Sequence, residues 1–366
     1  MDVHRSFGSN RGKGDRRLSR FWVDIDNPPQ AQYLSPIARG LRERGNAVLV
    51  TARDHEQTLA VLANRGEAAL PVVSSFGASK PAKYAGTVYR ILRLVALVRR
   101  QIGTPDAVVS TSRSGVLAAR LLGCPIFTVL DYEGVEIKSF LRSGTTILHP
   151  QALPAAVFEA RGFPANRLQS FPGLKEDIAL LGLERKPPVP LALPPPRDES
   201  IPSVLLRPPS ETSHYRVDES IRVLKRLTGR LSSHADIQVV FTPRDREQIE
   251  LIRFHDWLVQ PVIIERPLPV LELLNSVDHV VTGGGTMLRE AAWFGIPAST
   301  LFQGQLPAID RWLEKQGAIR RITTETDLES FEWFPTDGPS RVEHHPETLG
   351  FVLDQMERGA QTPDRS

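Results

Sequence analysis

Residues 277–294, VDHVVTGGGTMLREAAWF, join an apolar run to a segment with helical spacing through three successive glycines. The run 277–282 predicts a buried strand, and residues 286–294 predict a helix. Glycines at such a junction let backbone N–H groups approach an anion, and the positive end of the helix dipole adds to the attraction. The stretch therefore predicts a phosphate site, with a tight turn that binds no ligand as the alternative.

Two common phosphate motifs are excluded by the residues around this turn. A dinucleotide-binding GxGxxG motif starting at Gly283 would need a glycine where the chain has Leu288, and such motifs normally open a Rossmann domain. No GxxxxGK[ST] sequence occurs anywhere in the chain, which argues against a P-loop nucleotide site.

Outward from the turn, short apolar runs alternate with segments of helical spacing along most of the chain. Such alternation is typical of parallel sheets with helices on both faces. The predicted strands before the glycine turn cover residues 21–26, 47–51, 69–73, 107–110, 125–130, 204–206, 238–241 and 262–264. One further strand is predicted after it, at 298–302.

A proline-rich segment divides the alternation into two halves. Residues 184–202 contain seven prolines, a density that excludes a helix or a central strand and favours an extended linker. We therefore predict an α/β fold of two Rossmann-like domains whose parallel sheets face each other across a cleft. The predicted parts are a disordered basic tail (1–20), an N-terminal domain (21–183), the linker (184–202), a C-terminal domain (203–345), and a C-terminal helix and tail (346–366).

Composition and charge limit the class of protein. The chain has 366 residues, 41% of them hydrophobic and 24% charged, as in an ordinary soluble protein. Its one cysteine, Cys124, excludes an internal disulfide framework and fits a reducing compartment. No apolar run is long enough to span a bilayer, and the first twenty residues lack the apolar segment of a secretory signal. These features predict a cytoplasmic protein.

The positive charge is concentrated in the first half. Residues 1–150 contain 21 lysines and arginines against 12 acidic residues. Within them, residues 84–100 predict a basic amphipathic helix. Such a helix either lies on an anionic membrane as a peripheral contact or packs on its own sheet with its arginines extended into solvent.

The second half resembles the nucleotide-sugar lobe of GT-B glycosyltransferases, on the evidence of residues 283–286, Glu290 and the preceding stretch 262–282. It is similar to the transferase that adds N-acetylglucosamine to the peptidoglycan precursor, and to UDP-N-acetylglucosamine 2-epimerase. The resemblance implies that Gly284, Gly285 and Thr286 hold a diphosphate, and the neighbouring Gly283 and Met287 are further candidates for binding the nucleotide-sugar. It also implies that Glu290 holds the ribose.

From about residue 21 to 357 the chain resembles more closely a family known as domain of unknown function 354. Seven blocks in order carry this resemblance: DIDNPP (24–29), TARDHEQTL (51–59), DYEG (131–134), PGLKED (172–177), RPPSETSHY (207–215), PRDREQ (243–248) and GGGTMLREAAWFGIP (283–297).

Further candidates for the donor site follow the other strands of the second half. Arg207 ends the first of these strands and Arg244 follows the next, and a planar guanidinium suits phosphate. Ser210 lies in the same block as Arg207. Gln303 follows the last predicted strand, where relatives contact sugar hydroxyls. For each residue, a structural or solvated role is the alternative.

The first half supplies the candidates for the acceptor side. Asp26 and Asn27 follow the first strand, at the sheet edge where such folds bind ligands. Glu133 follows the strand 125–130 and is a candidate general base, as is Asp26. Ser112 and Ser114 open a helix and are candidates to hold an acceptor phosphate, with helix capping as the alternative. We expect Asp24 to be structural, and no metal site is predicted.

Together these features predict a metal-independent glycosyltransferase that moves a sugar from a nucleoside-diphosphate donor to an unidentified acceptor. No cofactor is expected, and nucleic acid is not the expected partner. One alternative is an epimerase of nucleotide-sugars. The other is a non-catalytic protein that binds a nucleotide-sugar, a nucleic acid or a membrane.

Overall fold

The computed structural model describes residues 18–54, 57–72, 80–185, 198, 200–209, 218–244, 246–266, 268–329, 332–334, 338 and 340–361. Most of the predicted basic tail and of the proline-rich linker lies outside this part of the chain, and so does Ser210. The predictions made for these residues therefore stay predictions.

In the described residues, parallel strands of the first half form one sheet: β1 (Arg20–Ile25), β2 (Ala47–Arg53), β3 (Leu70–Val72), β4 (Ala107–Ser110), β5 (Ile126–Val129), β6 (Thr146–Pro150) and β7 (Leu168–Phe171). The strand order is β3-β2-β1-β4-β5-β6-β7. The helices of this half are α1 (Pro28–Glu43), α2 (Thr58–Asn64), α3 (Lys80–Ile102), α4 (Arg113–Leu122), α5 (Lys138–Ser143), α6 (Ala156–Glu159) and α7 (Glu176–Ala179), with a short 3-10 turn at Ala165–Arg167.

The second half forms another parallel sheet in the order β10-β9-β8-β11-β12-β13. Its strands are β8 (Ser203–Arg207), β9 (Gln238–Phe241), β10 (Val262–Ile263), β11 (His279–Thr282), β12 (Ala298–Thr300) and β13 (Arg320–Arg321). Its helices are α8 (Asp218–Ser232), α9 (Arg246–Arg253), α10 (Val270–Asn275), α11 (Thr286–Trp293), α12 (Ala308–Lys315) and α13 (Glu325–Glu329), and α14 (Thr348–Gln361) ends the described chain. The predicted α/β fold with two parallel sheets is confirmed.

The two faces of the first sheet are covered by different helices. Successive strand residues point to opposite faces, so Trp22 belongs to one apolar cluster and Val23 to another. The first cluster includes buried residues of α3, α4 and α5, and the second includes those of α1, α2, α7 and α14. The last helix therefore packs on the first half, where a Cβ at Gly40 of α1 would lie 2.7 Å from Leu353.

The structure also extends several predicted elements. The apolar spacing of residues 34–44 predicts a helix there, and helix α1 begins six residues earlier, at Pro28, because prolines are tolerated in a first helical turn. Asn27 caps this helix, and its side chain accepts a hydrogen bond from Gln30 N at 3.0 Å. Strands β6, β7 and β13 had not been predicted. None of the helices in the described chain is long and apolar enough to cross a membrane.

Candidate functional site

The glycine turn connects β11 to α11, and the backbone geometry favours glycine at each of its three positions. A Cβ at Gly283 would lie 2.5 Å from Pro209 Cα, so only glycine fits beneath the loop that follows β8. Gly284 and Gly285 have φ angles of 100° and 93°, which strongly favour glycine. The N-cap of α11 is Gly285, whereas Thr286 is the first helical residue. Gly284 N–H donates to Thr282 Oγ1 at 2.8 Å, so the turn presents backbone rather than side chains at the start of α11, with this N–H group already engaged.

Two arginines lie close to this turn. Arg207 ends β8 beside Thr282 of β11, and its carbonyl accepts from Gly283 N at 3.2 Å. Burial and, to a lesser extent, repulsion from Arg244 lower the pKa of Arg207 to about 10, while attraction to Glu290 opposes this. The exposed Arg244 donates from Nε to Pro208 O at 3.1 Å, which holds it at the same loop. Two guanidiniums that repel each other are suited to a shared anionic ligand.

Glu290 lies on the first turns of α11 and is 2% exposed. Among the described residues its buried Oε1 has no hydrogen-bond partner. Burial and the nearby carboxylate of Glu176 together raise the pKa of Glu290 to about 7, while Lys175, Arg65 and Arg207 oppose the rise. An unpaired buried carboxyl group beside the arginines is available to accept from a ligand hydroxyl.

Arg289 joins the two halves in a buried ion network that was not predicted from the sequence. Its Nη1 donates to Asp131 Oδ2 at 2.7 Å, and its Nε donates to Asp310 Oδ1 at 2.6 Å. Its side chain is only 5% exposed. Burial disfavours the charged guanidinium, but Asp310 and Asp131 more than compensate and raise its pKa. Arg289 therefore carries a full charge between the halves.

The network continues into the first half through Lys175, whose Nζ lies 2.5 Å from Asp131 Oδ2. Burial opposes ionisation of Asp131, yet Lys175 and Arg289 lower its pKa to about 2. Next to Lys175, burial raises the pKa of Glu176, which is 1% exposed. Asp131, Lys175 and Arg289 all lie in the sequence blocks quoted above. Membership of these blocks was the only sequence feature that pointed to the three residues, since their pairing depends on how the two halves are oriented.

Glu133 makes a second link between the halves. Its Oε1 accepts from Ala308 N at 2.8 Å, at the start of α12, and lies 4.0 Å from Arg311 Nη2. Its Oε2 is buried without a hydrogen-bond partner in the described part of the chain. The structure thus places Glu133 between the loop after β5 and the second half, and its role as a base stays a prediction.

Asp26 lies at the carboxyl end of β1, as its position in the sequence predicted. Its carboxylate is 3.6 Å from Arg53 Nη1 and 3.6 Å from Arg90 Nη1, while its backbone N–H donates to Gln30 at 2.8 Å. Asp26 is partly accessible, with 26% of its side chain exposed. Asn27 is engaged as the cap of α1.

Ser112 and Ser114 lie in a polar network centred on Asp24. Ser112 Oγ donates to Asp24 Oδ2 at 2.7 Å and accepts from Gly115 N at 2.8 Å, so it caps α4. Ser114 Oγ accepts from Arg90, which also pairs with Asp24 at 2.9 Å. Both serines are buried and have protein partners here. The predicted binding of an acceptor phosphate stays a prediction.

The remaining donor-side candidates differ in how they face the turn. Met287 is half-buried and packs against the apolar cluster that includes Leu288. Gln303 donates from Nε2 to Leu301 O at 3.0 Å and to Ile322 O at 2.7 Å, which fixes its side chain on its own sheet. The structure therefore brings Gly283–Gly285, Arg207, Arg244 and Glu290 together most closely.

Most of the chain matches one known protein family. Residues 19–330 match the family described as "Protein of unknown function (DUF354)". The chain belongs to this family. An uncharacterised protein of Methanocaldococcus jannaschii is 25% identical over 307 residues, which cover 80% of this chain and 84% of that protein.

Solved structures share the fold of this DUF354 chain. The UDP-GlcNAc 2-epimerase of Neisseria meningitidis bound to UDP-GlcNAc superposes with a TM-score of 0.68 at 14% identity, covering 93% of this chain and 100% of that one. The spinosyn rhamnosyltransferase SpnG superposes with a TM-score of 0.50 at 15% identity, covering 92% and 94%. These likenesses confirm the predicted GT-B-like architecture.

Proposed function

We propose that this DUF354 protein is a glycosyltransferase that binds a nucleoside-diphosphate sugar on its second half. The observation that supports this most directly is the arginine pair, Arg207 and Arg244, beside the glycine turn. The pair and the start of α11 form a positive site with open backbone, which suits a diphosphate. The sharing of the fold with an epimerase that binds UDP-GlcNAc is consistent with such a ligand.

In this proposal the donor lies along the glycine turn. The N–H groups of Gly285 and of the first turn of α11 bind the diphosphate together with the two arginines, while Gly284 gives the turn its shape and donates to Thr282. Glu290 accepts from the ribose hydroxyls. Met287 and Gln303 border the donor. As the sugar leaves, the same N–H groups and guanidiniums stabilise the negative charge that develops on the diphosphate. The proposal includes no resident metal or cofactor.

The acceptor lies on the first half in this proposal. Glu133 and Asp26 are the candidates for the base that takes the proton from the attacking hydroxyl. Glu133 is the stronger candidate, because Ala308 N fixes one of its carboxylate oxygens while the other has no partner in the described residues. Asn27, Ser112 and Ser114 remain candidates for positioning the acceptor.

The donor site is tested by replacing Arg207 with glutamine. We expect the affinity of the full chain for UDP, measured by isothermal titration calorimetry, to fall about 10- to 100-fold, because a charge-assisted bond to phosphate is lost. Arg207→Lys should retain part of the affinity. The control is Arg253→Gln, whose side chain is 57% exposed on α9. Equal affinities in wild type and Arg207→Gln would contradict the proposed site.

The reaction is tested by NMR with UDP-GlcNAc as the probe, alone and with a mixture of candidate acceptors. Transfer predicts that the sugar signals change only when an acceptor is present. Isomerisation of the sugar with donor alone would contradict transfer and assign an epimerase reaction to the same site.

The raised pKa of Glu290 predicts a pH dependence of stability. The folded chain retains this proton up to about pH 7, whereas an unfolded glutamate loses it near its ordinary value of 4.5. The contribution of Glu290 is therefore complete below pH 4.5 and is lost as the pH rises through 7. Because one pKa unit corresponds to about 1.4 kcal/mol, the loss is on the order of 3 kcal/mol.

Glu290→Gln should remove this loss and stabilise the ligand-free protein at pH 8 relative to wild type. The measurement is the free energy of unfolding in urea at pH 5 and pH 8. The matched control is Glu250→Gln, whose side chain is 71% exposed on α9. An unchanged difference between the two pH values in Glu290→Gln would show that this carboxyl group does not cause the dependence.

A further inference from the structure

Helix α3 has an apolar stripe on its outer face. Tyr84, Val88, Leu92 and Ala96 follow each other at intervals of four residues and are all exposed, and Arg100 continues the same stripe. Tyr84 is 75% exposed, Leu92 59% and Val88 40%. The opposite side of α3 is buried through Leu94 and Val98, which pack on the sheet. The outer stripe therefore lies away from the core of its own domain.

The helices on the two faces of the first sheet differ in charge. The sequences of α3, α4 and α5, which cover one face of the first sheet, contain ten lysines and arginines and no acidic residue. The helices that cover the opposite face, α1, α2, α7 and α14, contain three basic and five acidic residues. The positive charge of the first half is thus gathered on one side of the sheet.

The arginines of this layer border the apolar stripe. Exposed basic residues on the three helices are Arg93, Arg99, Arg100, Arg113, Arg120, Lys138 and Arg142. Leu121 of α4 adds a second exposed apolar side chain, with 57% of its surface accessible. We call the layer formed by α3, α4 and α5 the basic face.

We propose that the basic face docks on the surface of an anionic lipid bilayer. Lipid headgroups of negative charge attract the arginines, and the apolar side chains of α3 enter the boundary between headgroups and acyl chains. A nucleic acid would satisfy the charge, but it offers less to the side chains of Val88, Leu92 and Leu121. Glu136, just before α5, lies close enough to Arg113 for attraction, but the exposed charges of the three helices themselves are all positive. The combination of exposed aliphatic side chains with this excess of positive charge favours the bilayer.

One end of the basic face lies at the same edge of the first sheet as residues of the candidate site. Helices α3, α4 and α5 each follow a strand of the first sheet, so they begin at its carboxyl edge, where Asp26 and Glu133 also lie. Tyr84 and Val88 are near the beginning of α3. These two side chains therefore lie near that edge, whereas Leu121, near the end of α4, lies toward the opposite edge. Docking does not depend on the proposed sugar transfer.

The experiment is co-sedimentation of the full chain with vesicles of phosphatidylcholine alone and of equimolar phosphatidylcholine and phosphatidylglycerol. We expect binding to the anionic vesicles only, and weaker binding as salt is added. The double variant Arg93→Glu with Arg100→Glu should bind more than about thirtyfold less, since each lost cation contributes about fivefold and the new carboxylates are repelled by the anionic surface. Val88→Ser with Leu92→Ser should bind about tenfold less through its lost apolar contact.

Two control variants carry equivalent changes on the second half. Phe254→Ser with Leu258→Ser removes side chains that are 84% and 67% exposed, and Lys315→Glu with Arg320→Glu reverses two exposed charges. Both should bind vesicles as wild type does. Equal binding to neutral and anionic vesicles, or equal losses in test and control variants, would overturn the proposal. Binding of a DNA duplex that depends on Arg93 and Arg100, without vesicle binding, would overturn it in favour of nucleic acid.

Discussion

Replacement of Arg289 by methionine should lower the free energy of unfolding by about 3–5 kcal/mol, because it leaves buried carboxylates without their counter-charge. Arg289 lies between Asp131 of the first half and Asp310 of the second, at 2.7 and 2.6 Å. Asp131 would keep Lys175, but Asp310 is 1% exposed and would lose the ion pair that the structure shows for it. The measurement is urea unfolding of wild type and variant.

The matched control for this prediction is Arg321→Met. Arg321 pairs with Glu314 at 3.8 Å, with about a third of each side chain exposed, and such surface pairs contribute at most about 1 kcal/mol. Adding Asp310→Asn to Arg289→Met should restore part of the stability, since the stranded charge is then removed. If the free energy of unfolding falls no further in Arg289→Met than in the control, the network does not stabilise the contact between the two halves.

The second large effect is expected at Asp24, where Asp24→Asn should cost about 3–5 kcal/mol of stability. The carboxylate has no exposed surface and pairs with Arg90, whose side chain is 5% exposed. It also accepts from Thr51 at 2.8 Å and from Ser112 at 2.7 Å. Removing its charge leaves the guanidinium of Arg90 buried without its main partner.

Asp354→Asn provides the control, since Asp354 pairs with Arg44 while 55% of its side chain is exposed. It should change the free energy of unfolding by less than about 1 kcal/mol. A stable Asp24→Asn protein would contradict the structural role predicted from the sequence.

The sequence was sufficient for most of the fold because apolar runs and helical spacing reflect local burial. Strands β4 and β9 agree with the predicted residues 107–110 and 238–241 at both ends. The start of α1 was missed because Pro28 and Pro29 resemble a turn when their cap, Asn27, is not considered. Strand β13 has two residues and shows too little pattern to be recognised.

The sequence predicted those parts of the candidate site that lie on a single strand and the loop that follows it. The glycine turn and the residues at the ends of β1 and β8 lie where sheet geometry places them. The network of Arg289, Asp131 and Asp310 was not predictable, because its partners are separated by up to 179 residues (Asp131 to Asp310) and meet only when the two halves are oriented. The contact of Gly283 with Pro209 depends in the same way on two loops of different strands.

The return of α14 to the first half means that the chain passes between the halves twice. It passes once before β8 and again between α13 and α14. A body joined to another by a single tether can turn about it in any direction. Two separate tethers restrict the relative motion to bending about the line that connects them. Twisting of one sheet over the other is therefore resisted by both connections, and separation of the halves would also have to break the buried pairs of Arg289 with Asp131 and Asp310.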